Sequence, residues 1–87
     1  KRIEILIDTP LCPRIVAAAT EAGVSGYTLI PVQSGRGHSG AWRDDRITGA
    51  EAKTIFLTIA SEEKAQRLIN LLAPHLTSYG MLLTVSD

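Results

Sequence analysis

The chain has 87 residues and no net charge, and its composition is 45% hydrophobic, 21% charged and 5% aromatic. This balance excludes a disordered tail, and it lacks the basic excess of a nucleic-acid-binding protein. One cysteine, Cys12, cannot form an intramolecular disulfide, and no apolar run approaches the ~20 residues of a membrane span. We therefore expect one cytoplasmic domain, whose thin core would gain from oligomerisation.

The first part of the chain predicts a strand, a helix and a second strand. Residues 2–7 alternate, with three isoleucines on one face, as a half-buried strand does. Two prolines then suit the first turn of a helix, and apolar residues recur at helical spacing up to Gly23, which supplies a left-handed end. Residues 26–32 predict the second strand. Because Pro31 cannot donate a backbone hydrogen bond, we expect this strand to lie at a sheet edge or to end irregularly.

The second part predicts a strand, a helix and a last strand. Residues 54–60 alternate again, and Ser61 then suits the N-cap of a helix with two acids in its first turn. Pro74 is predicted to close this helix, and Gly80 to open the fourth strand. The order of elements predicts an α+β, ferredoxin-like βαββαβ fold, with a four-stranded antiparallel sheet and two helices on one face. The fold alone assigns no function, because it hosts many.

A long connection separates the second and third predicted strands. Residues 33–53 hold four of the seven glycines, three arginines, His38 and the only tryptophan, Trp42. Loops longer than ~12–15 residues are uncommon in compact domains and are usually functional or disordered. Arginine can pair with phosphate or carboxylate, and an exposed tryptophan is costly unless something covers it. We predict a mobile functional loop; the alternative is a solvated surface insertion.

The sequence predicts no catalytic residues and no metal site. Residues 35–40 lack the lysine and the following helix of a phosphate loop, and the first strand-to-helix turn has no glycine for a dinucleotide fingerprint. The histidines, the cysteine and the carboxylates show no short ligand spacing. Asp44 and Asp45 are more simply partners of the neighbouring arginines than an acid–base pair. We therefore do not expect an enzyme.

The chain resembles the PII signalling superfamily over nearly its whole length. Residues 23–28 read GVSGYT and match the family's Gly-x-x-Gly-x-Thr segment at the start of its second strand. The long loop, which opens with a Gly/Arg/Gly/His stretch, matches the family's T-loop. A first strand followed by a proline also fits. The resemblance is to divergent PII-like proteins associated with carboxysomes and bicarbonate transporters, and it implies one PII-like domain over residues 1–87 with the T-loop at residues 33–53.

The resemblance also implies a homotrimer, with its sheets facing inward and adenine nucleotide in the clefts between subunits. The residues that it assigns to the nucleotide are Gly26, Tyr27, Thr28, Gly35, Arg36, Gly37, His38, Leu57, Ser78, Tyr79 and Gly80. The last three stand where the family has its phosphate-binding B-loop. Arg36 is the first candidate for bicarbonate, and Trp42, Arg43 and Arg46 are candidates for a protein partner.

Differences between this sequence and the family's motifs narrow the range of ligands that we expect. Residues 78–81 read SYGM, where nitrogen-regulatory members have Gly-Asp-Gly-Lys, and the sequence ends at Asp87, before the family's arginine-rich stretch. Fewer cations hold a triphosphate less well, so we expect ADP or AMP as a ligand and no tightly bound cofactor. The T-loop has no tyrosine, so covalent modification of a T-loop tyrosine is excluded. We therefore expect ligand binding to switch the conformation of the loop.

The function implied by the resemblance is therefore regulatory. We expect nucleotide to control the T-loop, and the T-loop to signal to a transporter or an enzyme of inorganic-carbon metabolism. Nucleic acid is not an expected partner, and the membrane is reached only through a protein partner.

Three other functions are possible on the same fold. A trimeric metal- or small-molecule-responsive domain, as in copper-tolerance proteins, would not need the long loop. An acylphosphatase-like enzyme needs a phosphate cradle and a positioned amide, but the only asparagine, Asn70, falls within the second predicted helix. A single-strand RNA binder would display aromatics on its open sheet face, and Phe56 alone does not meet that need.

Overall fold

The computed structural model describes residues 1–32 and 52–87 of the chain. The predictions for Gly35, Arg36, Gly37, His38, Trp42, Arg43 and Arg46 therefore lie outside the described residues. The strands are β1 (Arg2–Asp8), β2 (Thr28–Val32), β3 (Lys53–Ile59) and β4 (Leu82–Ser86). The helices are α1 (Cys12–Ala22), α2 (Glu62–Leu72) and the short α3 (Leu76–Tyr79), and single 3-10 turns precede α1 and α3 at Thr9–Leu11 and Ala73–His75.

The four strands form one antiparallel sheet in the order β2-β3-β1-β4. β1 lies in the centre and pairs with β3 on one side and with β4 on the other, while β2 pairs only with β3. The predicted ferredoxin-like fold is confirmed, and so is the edge position of β2. Pro31 is tolerated there because its missing N–H can face away from the ladder.

The core lies between one face of the sheet and the two long helices. Alternation along the central strands turns every second side chain to this face, so Ile5 of β1 and Phe56 of β3, which are direct partners in the ladder, are both fully buried. Ile15 of α1 and Leu68 of α2 are fully buried against them. The spacing of apolar residues read from the sequence therefore identifies the buried face of each of these elements.

The ends of the long helices have the predicted chemistry. Gly23 ends α1 with a φ of 88°, and its N–H reaches the carbonyl oxygens of Ala19 and Thr20. Ser61 begins α2, where its hydroxyl oxygen accepts a hydrogen bond of 3.2 Å from the backbone N–H of Lys64. Each cap satisfies backbone groups that have no partner within the helix.

The segment between α2 and β4 differs from the prediction. α2 ends at Leu72, and Pro74 does not end the helical structure but occupies the first turn of the 3-10 segment, a position that suits proline because no backbone N–H is needed there. Gly80 does not open the strand; with a φ of 62° it caps α3, and β4 begins at Leu82. The extra helical turns carry Tyr79 back towards α1.

Candidate functional site

The segment Gly26-Tyr27-Thr28 lies at the edge of the sheet where β2 begins. Thr28 is the direct ladder partner of Leu57, so these two predicted site residues are neighbours on adjacent strands. The hydroxyl of Thr58 donates a hydrogen bond to the carbonyl oxygen of Gly26 and holds the approach to β2. The structure thus brings together four of the residues assigned to the nucleotide.

Tyr27 presents an aromatic ring at the same edge. Its ring stacks on the buried ring of Phe56, with centroids 5.1 Å apart and an interplanar angle of 24°. The side chain is nevertheless 43% exposed. One face of the ring is therefore held by the core while part of the residue stays accessible, and a stacked aromatic in this position can receive a second flat ring.

The second predicted segment, Ser78-Tyr79-Gly80, forms the end of α3 and its left-handed cap. Arg14 of α1 donates a hydrogen bond of 3.3 Å from its guanidinium to the Tyr79 hydroxyl oxygen, and the same guanidinium lies 5.5 Å from the centre of the ring. His75 stacks on the ring with centroids 4.7 Å apart. Tyr79 is therefore engaged by the helices, while Ser78 and Gly80 stay exposed.

The two segments lie far apart within one chain. β2 and β4 are the two edges of the sheet, and three inter-strand spacings, roughly 14 Å, separate them. They are also at opposite ends, because Thr28 aligns through Leu57 with Glu4 of β1, whereas β4 begins opposite Leu6 and Gly80 lies beyond that point. One small ligand cannot contact both segments of the same subunit.

The sheet face turned away from the helices is apolar at its centre. Among its side chains Ile59 is 74% exposed, Leu82 61% and Ile30 40%. The half-buried apolar members of this open face are Leu6, Val32, Ile55 and Leu57. Nothing covers them in the part of the chain that the structure describes, and large exposed apolar patches mark interaction surfaces.

Ion pairs flank this apolar centre at both ends of the sheet. Arg2 and Glu4 approach to 2.7 Å at one end, and Lys53 and Asp8 approach to 2.6 Å at the other. All four side chains are half-exposed, so the pairs contribute little to the stability of one subunit. An apolar centre with a polar rim is the usual anatomy of a protein–protein interface.

Cys12 is the cysteine of the chain and lies in the core of the folded subunit. The side chain is buried at the start of α1, and burial raises the pKa of its thiol above the usual range. Across residues 1–32 and 52–87 no three metal-ligating side chains come together, and no helix in these two ranges is long and apolar enough to cross a membrane.

Arg14 and His75 contact Tyr79 in a way that the sequence does not predict. The contacts of both side chains with Tyr79 depend on the helical turns after Pro74, where the sequence pattern predicts that α2 ends. A proline followed within five residues by a Tyr-Gly pair is compatible with a further helical turn, and that is the local signal that could have indicated their contact with Tyr79.

Comparisons with known proteins agree with the resemblance to the PII superfamily. A family model described as nitrogen regulatory protein P-II matches residues 1–87. No curated protein sequence matches the chain. Among solved structures, a protein from Thermus thermophilus described as a PII-like signalling protein is 24% identical. The match covers 98% of this chain and 82% of that protein, with a TM-score of 0.77.

Two further solved structures are of CPII from Thiomonas intermedia. One, a nitrogen regulatory PII-like protein bound to ADP, AMP and bicarbonate, is 22% identical over 99% of this chain and 86% of its own, with a TM-score of 0.75. The other, bound to ADP and bicarbonate, is 21% identical over 98% of this chain and 81% of its own, with a TM-score of 0.76. At these identities the likeness shows a shared fold.

Proposed function

Because the chain belongs to the nitrogen regulatory protein P-II family, we propose that it is a non-enzymatic regulator that binds ADP or AMP between the subunits of a homotrimer. The match over residues 1–87 confirms the resemblance read from the sequence. The observation that carries the proposal is the separation of the two predicted nucleotide segments at opposite edges of one sheet.

A second copy of the chain can bring one segment of each kind together. If the open sheet faces meet in the centre of the assembly, the β2 edge of one subunit can approach the β4 edge of the next. Gly26, Tyr27 and Thr28 of one subunit would then face Ser78 and Gly80 of its neighbour across a cleft. The apolar centre of the open face supports this arrangement, because its side chains gain by leaving water.

The chemistry of the cleft favours a nucleotide with few phosphates. Tyr27 offers an accessible aromatic ring on which a base can stack, held in place by Phe56. Gly80 is exposed, and a Cβ placed on it would meet nothing within 4 Å. A phosphate can therefore approach the backbone closely at this position. No lysine stands in residues 78–81, which weakens the hold on a triphosphate. The ligands of CPII, ADP, AMP and bicarbonate, support the same choice.

The output of the regulator is proposed to pass through the T-loop. Gly35, Arg36, Gly37 and His38 would close over the nucleotide, with bicarbonate at Arg36, and the loop would then dock on or release a protein partner. Trp42, Arg43 and Arg46 are the proposed anchors, because tryptophan and arginine are enriched at hot spots. Coupling of this kind needs a few kcal/mol of difference between loop states. A transporter or enzyme of inorganic-carbon metabolism is the proposed partner.

Isothermal titration calorimetry with ADP, AMP, ATP and cyclic AMP, each with and without bicarbonate, tests this proposal. We expect ADP or AMP to bind more tightly than ATP. Absence of heat with every adenine nucleotide at high micromolar concentration would refute it.

Two loop variants separate the two roles. Arg36→Ala is expected to weaken nucleotide or anion binding, whereas Trp42→Ala is expected to leave nucleotide binding intact and weaken the complex with the partner. If Trp42→Ala instead prevented folding, as judged by circular dichroism, the tryptophan would be a core residue and the assignment of the T-loop would be wrong.

A further inference from the structure

A groove runs between α1 and α2 on the surface opposite the open sheet face. Its larger part has a volume of about 420 Å³ and reaches from Tyr79 and Arg14 to Glu21. A second part of about 290 Å³ continues from Glu21 towards Arg67. Glu21 and Leu71 line both parts, so the two cavities adjoin along the helix pair.

One stripe of α1 forms a wall of this groove. Arg14, Ala17, Ala18 and Glu21 follow the i, i+3, i+4, i+7 spacing that places residues on a single helix face. Leu71 of α2 lies half-buried in the groove. The stripe is therefore small and apolar in the middle and charged at both ends.

The charges at the two ends have opposite signs, and neither forms an ion pair within the described residues, although Arg14 also lies over the Tyr79 ring. Arg14 makes its one hydrogen bond there with the neutral Tyr79 hydroxyl, and neither Arg14 nor Glu21 lies within 4.0 Å of an opposite charge in residues 1–32 and 52–87. Arg67, by contrast, is paired with Glu63 at 2.9 Å. A guanidinium and a carboxylate remain available at defined positions along the groove.

The spacing of these charges selects the shape of the occupant. Seven residues of α1 span roughly 10.5 Å. On a second helix, residues seven positions apart lie on one face and cover the same distance. On an extended strand, residues that share a face lie about 7 or about 13 Å apart, so a strand matches this spacing less closely than a helix does.

We propose that this groove docks an α-helix of a partner protein with an acidic and a basic residue seven positions apart. The acid meets Arg14, the base meets Glu21, and apolar side chains between them pack on Ala17, Ala18 and Leu71. Either direction of the helix satisfies both charges if the order of acid and base is reversed. The exposed walls of the groove suit a helix better than a small molecule, which would bury little of its surface there.

The probe is a fluorescein-labelled, alanine-based helical peptide of about 18 residues, long enough for measurable helicity. It carries Glu and Lys seven positions apart with two leucines midway between them. The control peptide has the same composition, but its Lys stands five positions from Glu and therefore about 140° away around the helix. Fluorescence anisotropy at low salt is expected to show binding of the first peptide about two- to five-fold tighter than that of the control, the contribution of one exposed ion pair.

Charge reversal on the protein sharpens the test. Arg14→Glu is expected to weaken binding of the first peptide several-fold, and a peptide with Lys in place of its Glu is expected to restore binding to this variant. Glu21→Lys gives an independent second variant with the reciprocal rescue. Lys64→Glu changes the net charge equally on an exposed part of α2 outside the groove, and it should leave binding unchanged.

Three results would overturn the proposal. The first is equal binding of the two peptides, and the second is absence of binding by both. The third is a Lys64→Glu effect as large as that of Arg14→Glu, which would indicate attraction by overall charge. If neither peptide bound but Arg14→Glu reduced self-association of the protein in sedimentation experiments, the groove would belong to a second copy of the chain.

Discussion

The adjacent residues Leu29 and Ile30 of β2 offer a direct test of the role of the open sheet face. They are exposed to nearly the same extent, 44% and 40%, but they point to opposite sides of the sheet. Ile30 shares the open face with Leu57, whereas Leu29 lies on the side of Phe56 and the helices. We predict that Ile30→Asp separates the proposed homotrimer into monomers and that Leu29→Asp does not.

The expected magnitude follows from the exposed fraction of Ile30. Full burial of an isoleucine stabilises by about 1.5–3 kcal/mol, so burial of the exposed 40% contributes about 0.6–1.2 kcal/mol in each subunit. The loss is repeated in three subunits, and each new carboxylate adds a desolvation cost of several kcal/mol if it is buried. The trimer association constant is therefore expected to fall by at least about 10³-fold.

Sedimentation velocity at several protein concentrations, with circular dichroism to confirm folding, is the appropriate measurement. Both positions lie on the same edge strand with nearly equal exposure, so a difference in assembly between two variants that both fold reports which face meets the neighbouring subunit. A folded Ile30→Asp protein that remained trimeric would refute the inward position of the open face. Equal dissociation of both variants would also refute it.

Two further predictions concern the folded subunit. Gly23→Ala is expected to lower the free energy of unfolding by about 1–2 kcal/mol, because the φ of 88° is left-handed, although the added Cβ makes only ordinary contacts. Calorimetry should show a lowered Tm. Gly26→Ala, whose added Cβ meets nothing within 4 Å, is the control and should show little change. Burial raises the pKa of the Cys12 thiol, so iodoacetamide at pH 8 should modify it slowly in the native protein and rapidly in urea. Because the thiol ionises first in the unfolded chain, the free energy of unfolding should also fall as the pH rises above the usual thiol pKa. Equal alkylation rates in the native and unfolded states would contradict this account.

Much of the fold could be predicted because it depends on short-range patterns. Alternating isoleucines identify β1 and its buried face, and Ser61 and Gly23 mark helix ends through hydrogen bonds to backbone groups a few residues away. Pro31 identifies an edge strand through the loss of one donor. Each of these features is decided by local geometry, so the sequence carries the whole signal.

Part of the candidate site could be predicted in the same way. The match of residues 23–28 to a family motif located the start of β2, and the structure places Thr28 beside Leu57 as ladder partners. The contacts of Tyr79 could not be predicted from the sequence, because they depend on the helical turns after Pro74 and on the approach of α1. Proline ended the readable helical pattern without ending the helical backbone.

The amino-acid pattern alone thus specifies the four strands, the two long helices, their buried faces and the length of the connection between β2 and β3. The order β2-β3-β1-β4, which places the two predicted nucleotide segments at opposite edges of the sheet, emerges only when the chain is folded. Strand order depends on pairing between residues far apart in the chain and on how two helices cover one face. The contact of Arg14 with Tyr79, across 65 residues of sequence, arises from the same long-range packing.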